Sequence, residues 1–345
     1  MKNMHTLIAA SLVCVTMGGG AWAQEPYVIK FSADSSSAGD VCQNIIPEWS
    51  NAVETASEGR IKVETFCDGT MSKMGDTVDR VASGVAQAGW DLAFAYGARF
   101  GVLNVIGLPG LYEDPELASG ALWNYYNADT GGLKSTLESQ GVKMIWLQAV
   151  PNVSFFFTDK LDDNTNLNGR KIAAGNPTRA FMVTEHGGVP IRLGVPDYYN
   201  GLSRGVVDAT MTTVGAIASY KIDEITDYYL FGSFGGGYTI GVMSLDFYNG
   251  LPDDLKKVID DASGYDFSRW TGKHIFDFET AYMRDEMLTK PGREQHFLTE
   301  EELKSWQPTF EAARNAWIEQ TENGDVYADS IVGLLAAEAE KHAKN

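Results

Sequence analysis

The chain has 345 residues, 44% of them hydrophobic and 21% charged, with a formal net charge of −19 at pH 7. That length and apolar content support a substantial core divided between two domains. The acidity argues against nucleic acid or an anionic membrane surface as a partner and suits the solvated surface of an exported protein.

Met1 to Ala23 reads as a secretion signal: Lys2 is the basic start, Leu7 to Val15 a short apolar run, and Ala21-Trp22-Ala23 supplies small residues around a cleavage site. The run is too short and too interrupted by glycine to span a bilayer. The alternative is a lipoprotein anchored at Cys14, against which the bulk of Val13 speaks. Cys42 and Cys67 remain after the signal. In an oxidising compartment they are expected to pair, joining the first helix to the end of the second strand; two buried thiols are the alternative.

Periodicity predicts alternating strands and helices in chain order. Tyr27 to Ser32 is a strand, and Ile45, Ile46, Trp49 and Val53 give a helix that ends at Gly59. Arg60 to Phe66 is a second strand, Asp76 to Gly84 a helix, and Trp90 to Tyr96 a third strand. Glu116 to Gly131 is helical, and Lys143 to Gln148 and Val153 to Thr158 are strands. Lys171-Ile172-Ala173-Ala174 is a short buried strand closed by Gly175 and Pro177, with a helix from Phe181 to His186 stopped by Gly187-Gly188. Val189 to Leu193 is a strand again, followed by a short helix to Gly205. Gly235-Gly236-Gly237 lacks the Gly-Lys-Ser/Thr ending of a phosphate loop and is read as a crossover into a strand from Tyr238 to Leu245. Pro252-Asp253-Asp254 starts a long helix with Leu255, Val258, Ile259 and Ala262 on one face, and Glu300 to Ala313 and Ser330 to Lys344 are closing helices.

Catalytic constellations are not advertised. His186, His274, His296 and His342 have no metal-ligand spacing, there is no Gly-x-Ser-x-Gly elbow, and neither Cys42 nor Cys67 has a nearby histidine to activate it. A binding protein is therefore preferred to the competing class, a periplasmic hydrolase.

Three segments carry a family resemblance: Leu167-Asn168-Gly169-Arg170-Lys171-Ile172, Asp197-Tyr198-Tyr199-Asn200-Gly201-Leu202, and Gly205-Val206-Val207-Asp208. In this order they resemble the Leu-x-Gly-x-Lys strand, acidic-x-Tyr-x-x-Leu helix and Gly-Val-Val-Asp turn of DctP-type solute-binding subunits of tripartite ATP-independent periplasmic (TRAP) transporters. Tyr27 to Phe31, Ser57 to Val63 and Asp91 to Ala95 are similar to the family's first three strands. The resemblance implies a two-lobed α/β periplasmic-binding-protein-like fold with a ligand cleft between the lobes. It also implies a long helix across both, no catalysis and no cofactor, and a monomer docking on small and large membrane permease subunits. Lobe I is expected over 24–150 plus 238–277, and lobe II over 151–237 plus 278–345.

The family's carboxylate-gripping arginine is matched here by Ala173, a second arginine position by Phe155, and an asparagine by Thr212. Asp34 and Tyr96 stand at other cleft positions. A pocket stripped of guanidinium and given rings suits a small amine such as ethanolamine, bound by Asp34 and walled by Tyr96, Phe155, Tyr199 and Trp90. The alternative is an organic acid held by Arg179, on the loop after Ala173.

Overall fold

The computed structural model describes residues 25–344, so the secretion signal and Cys14 lie outside the described residues. Its strands are β1 (Tyr27–Ala33), β2 (Ile61–Phe66), β3 (Ala88–Leu92), β4 (Val142–Val150), β5 (Ser154–Phe157), β6 (Lys171–Ala174), β7 (Val189–Ile191), β8 (Ala209–Thr212), β9 (Tyr228–Phe231), β10 (Gly237–Ser244) and β11 (Glu294–Phe297). They form two sheets, ordered β2-β1-β3-β10-β4 and β11-β9-β5-β8-β6-β7. Helices cover the sheets, giving two α/β lobes.

The third strand is shorter than expected. It stops at Leu92, and a mostly 3₁₀ stretch, Ala93–Gly107, follows. The cause is Asp91, which is fully buried. Its carboxyl group accepts from Leu92 N (2.8 Å), Gly75 N (2.9 Å) and the Tyr96 hydroxyl (2.6 Å). Side-chain bonding of this kind offers the backbone an alternative to the ladder.

The glycine run does return the chain to the first sheet, where β10 pairs antiparallel with both β3 and β4. Gly235 has φ +85°, and a Cβ there would collide with Gly107 O. Only glycine fits such a turn at such a close backbone approach.

The long helix expected from Pro252 is two helices. Asp253–Asp261 packs Leu255 and Ile259 into the core of the first lobe. Ser263 takes extended backbone and Gly264 has φ +83°, which breaks the run. The second helix, Gly264–Tyr282, is the element that spans both lobes. Near its start Ser268 Oγ accepts from Leu147 N (3.0 Å), and the Thr271 carbonyl accepts from Gln148 Nε2 (2.9 Å), both on β4. Near its end Glu279 Oε1 accepts from Gly215 N (2.8 Å) in the second lobe.

The final helix also departs from expectation. Glu300–Gln320 buries Trp306, Phe310 and Ala313 against the second sheet, as a lobe II element should. Gly324–Ala343 instead packs on the first lobe: Ala328 and Ile331 join its core, and Glu338 accepts from Asn124 Nδ2 (3.0 Å). Asn323, at φ +57°, turns the chain back across the junction.

Cys42 and Cys67 form a disulfide with Cα atoms 6.6 Å apart. It ties the turn before the helix Ile46–Ala56 to the residue after β2. With a sequence separation of 25 between the bonded positions, loop-closure entropy puts its contribution at about 2–4 kcal/mol. The double variant Cys42→Ser, Cys67→Ser is expected to lose about that much unfolding free energy in denaturant titrations. The parent should show no reactive thiol from this pair when unfolded without reductant; two would contradict the bridge in the isolated protein.

Candidate functional site

Where the strands of the two sheets end, the lobes enclose a cavity of about 110 Å³. The first lobe contributes Ser35, Asp40 and Val41 from the connection after β1, Trp90 and Leu92 from β3, and Gln148 from β4. The second contributes Arg179, Val195, Thr212 and the face of the helix Val214–Tyr220; the spanning helix adds Ile275. A cavity of about 150 Å³ accepts a benzene ring, so this space is on the scale of one small ring. A wider space of about 740 Å³ lies beyond Arg179, Gly237 and Tyr238, which line both.

Of the residues singled out from sequence, Trp90, Arg179 and Thr212 meet at this cavity. The others do not. Asp34 Oδ2 accepts from Met74 N (2.8 Å) and so holds the loop after β2. Burial raises its pKa, opposed by that backbone hydrogen bond. Tyr96 sits in the 3₁₀ stretch, donating to Asp91 and accepting from Val78 N (3.0 Å). Tyr199 is partly exposed, with its hydroxyl 3.4 Å from Glu224 Oε2.

Phe155 is wholly buried away from the cleft. Successive residues of a strand face opposite sides. Phe155 and Phe157 therefore join Phe234, Trp306 and Phe310 on one face of the second sheet. Phe156 joins Ala173, Tyr198 and Tyr229 on the other. Helices cover both faces, so the aromatic run is core throughout. Ala173 likewise is buried without reaching the cavity.

Arg179 is the charge that does reach it. Asn176 caps the helix Pro177–Glu185 by accepting from Arg179 N (2.9 Å), and Pro177 occupies the first turn, as the Asn-Pro pair directs. This sets Arg179 in the first turn, facing the crossover. The residue is 7% exposed. Its Nη2 donates to Gly236 O (2.9 Å). Among the described residues no carboxylate lies within ion-pairing distance. Burial lowers its pKa from the ordinary arginine value, with Tyr198 and Tyr112 acting the other way.

Sequence reasoning missed Asp40 and Gln148, which line the cavity, and Tyr198, which is buried next to it without lining it. Gln148 is internally satisfied, donating to Thr271 O and accepting from Thr239 Oγ1 (2.8 Å). Tyr198 is buried beside Arg179 and its hydroxyl has no partner among the described residues. The Tyr-Tyr pair in Asp197-Tyr198-Tyr199 was the available signal. The inward member was Tyr198, one residue from the expected Tyr199.

Two α/β lobes joined by several crossings, with a small, largely apolar cavity at the strand ends, define a solute-capture protein of the two-lobed binding class. The chain belongs to the DctP family, bacterial extracellular solute-binding protein family 7, whose profile matches residues 32–321. It is thus the solute-binding subunit of a TRAP transporter and not an enzyme. Proteins of this class bind small molecules and work with membrane permease subunits. The C4-dicarboxylate-binding periplasmic protein DctP of Rhodobacter capsulatus is 24% identical over 98% of this chain and 99% of its own. A TRAP solute-binding protein from Rhodoferax ferrireducens T118, solved with copurified benzoate, superposes with a TM-score of 0.84 at 22% identity, covering 91% of this chain and 99% of that one. A marine metagenome TRAP protein specific for aromatic acids, solved with 3-hydroxybenzoate, has the same TM-score of 0.84 at 23% identity and the same coverage, 91% and 99%. No helix among the described residues is long and apolar enough to cross a membrane.

Glu279, bonded to Gly215 behind the cavity wall, gives the fold a pH dependence. Burial raises its carboxyl pKa from 4.5 to about 8, opposed by the Gly215 N–H, the Thr213 hydroxyl and the Val214 N–H. Below pH 4.5 the folded and unfolded chains both hold the proton; between there and about pH 8 only the folded chain keeps it. Stability therefore falls as pH rises through that window and stays reduced above it. Glu279→Gln is expected to remove this fall, which amounts to a few kcal/mol at about 1.4 kcal/mol per pKa unit. Denaturant midpoints compared at pH 5 and pH 8.5 check it. Identical pH slopes in the two proteins would rule out the assignment.

Proposed function

We propose that the chain captures a compact organic acid in the periplasm, after removal of its secretion signal, and presents it to the small and large permease subunits of a TRAP transporter. The carrying observation is Arg179: a guanidinium buried on the cavity wall, bonded to one carbonyl and to no carboxylate. Such a group has unused donors in a fork that matches a carboxylate. Burying a charge without a counter-charge is costly, and a bound anion offsets that cost. Leu92, Val41, Val195, Tyr220, Ile275 and the Trp90 ring make the remaining wall largely apolar. That composition favours a monocarboxylate with a ring or other apolar body over a dicarboxylate, whose second charge would find no second guanidinium among the lining residues. The benzoate and 3-hydroxybenzoate carried by two structural relatives belong to this chemical class.

An amine pocket built on Asp34, Tyr96, Phe155 and Tyr199 lacks support, because none of the four lines the cavity. The missing arginine at Ala173 is answered by one six residues later, entering from the helix that follows.

A thermal-shift panel of benzoate, 3-hydroxybenzoate, succinate and ethanolamine tests this. The aromatic acids are expected to raise Tm by several degrees, since a ligand at a hundred times its Kd stabilises by about 2.7 kcal/mol. Ethanolamine should give no shift. Arg179→Gln is expected to weaken acid binding by about 2–5 kcal/mol, with Arg179→Lys intermediate. Stabilisation by ethanolamine alone would overturn the assignment.

A further inference from the structure

One wall residue of the first lobe has an oxygen that the fold leaves unused. Asp40 lines the cavity and is 4% exposed. Its Oδ1 is committed twice, accepting from Asn44 Nδ2 (2.8 Å) and bonding His274 Nε2 (2.9 Å). The His274 ring is held in turn by stacking on Trp270, with centroids 4.8 Å apart. Asp40 Oδ2 has no hydrogen-bond partner among the described residues. A buried carboxyl oxygen without a donor is costly, and a donor brought by a ligand would offset that cost.

The position of Asp40 says what that donor is. Asp40 and Arg179 line the same small cavity but belong to opposite lobes, one on the connection after β1, the other on the helix after β6. The free Asp40 oxygen offers an acceptor, and the guanidinium offers only donors. We propose that the ligand is an organic acid carrying a hydroxyl or amino group remote from its carboxylate, and that Asp40 receives that donor while Arg179 holds the carboxylate. The inference rests on the carboxylate reading of Arg179. A ligand so held bridges the lobes: its two polar ends are both satisfied only when the lobes are together, which is what a closure-driven receptor requires. An acid lacking the donor leaves Asp40 Oδ2 unpaired and is disfavoured for that reason.

Calorimetric titration of the full-length processed protein tests this with benzoate, 3-methylbenzoate, and the 3- and 4-isomers of hydroxybenzoate and aminobenzoate. At least one donor-bearing acid is expected to bind about ten-fold or more tightly than both benzoate and its methyl homologue, which matches the hydroxyl in bulk but donates nothing. Asp40→Ala should erase that advantage, so that within the variant the donor-bearing acid binds no more tightly than its methyl homologue. Equal binding by methyl and hydroxyl acids in the parent protein would overturn the inference and leave the Arg179 assignment intact, and needs no variant that must fold. So would an Asp40→Ala protein weakened equally toward every acid, the signature of a purely structural Asp40. Failure of all the acids to bind would overturn the carboxylate reading and this inference with it.

Discussion

A buried guanidinium with no carboxylate in ion-pairing distance among the described residues is the constraint on which this cavity depends. Arg179 is desolvated by the packing of two lobes, and its one protein bond, to Gly236 O, uses a single donor. Burial lowers the dielectric around the remaining donors, which strengthens any hydrogen bond they make. Trp90, Leu92, Val195 and Ile275 give the cavity a largely apolar wall beside that guanidinium.

The spanning helix makes this site a property of two lobes. Its first half is hydrogen-bonded to β4 through Ser268 and Thr271, and its last half to the start of the helix Val214–Tyr220 through Glu279. His274 reaches Asp40 from its middle. Residues on both sides of the cavity are thus referenced to one rigid rod. The final helix, crossing back to pack on the first lobe, adds a further tie. A relative movement of the lobes must be absorbed at the crossings and at the ends of this helix.

The alternation of elements, the crossover at Gly235 to Gly237, the capped helix after Asn176-Pro177 and the pairing of Cys42 with Cys67 were legible because each follows from local chemistry. Glycine tolerates φ +85°, proline sets a first helical turn, and two thiols in an oxidising compartment join. The cleft was legible only in part. Phe155 carried the right kind of side chain, but whether a ring on β5 faces the ligand or the covering helix is set by strand register and by Trp306, some 150 positions along the chain. The end of β3 depended on Asp91 being buried where three donors converge, which no periodicity reports.

By itself the sequence determined the family and much of the strand–helix order, though not the strands β8, β9 and β11. The family and that order are written in residue type and spacing, which survive at low identity because local propensity and glycine geometry constrain them. Tertiary structure decided that Arg179 lines the cavity while Ala173 does not, and that Asp40, not Asp34, lines it. It decided as well that Tyr198 turns inward instead of Tyr199. Each of those outcomes depends on which of two neighbouring positions a helix or loop rotates toward a distant lobe. That rotation is fixed by packing between segments far apart in the chain.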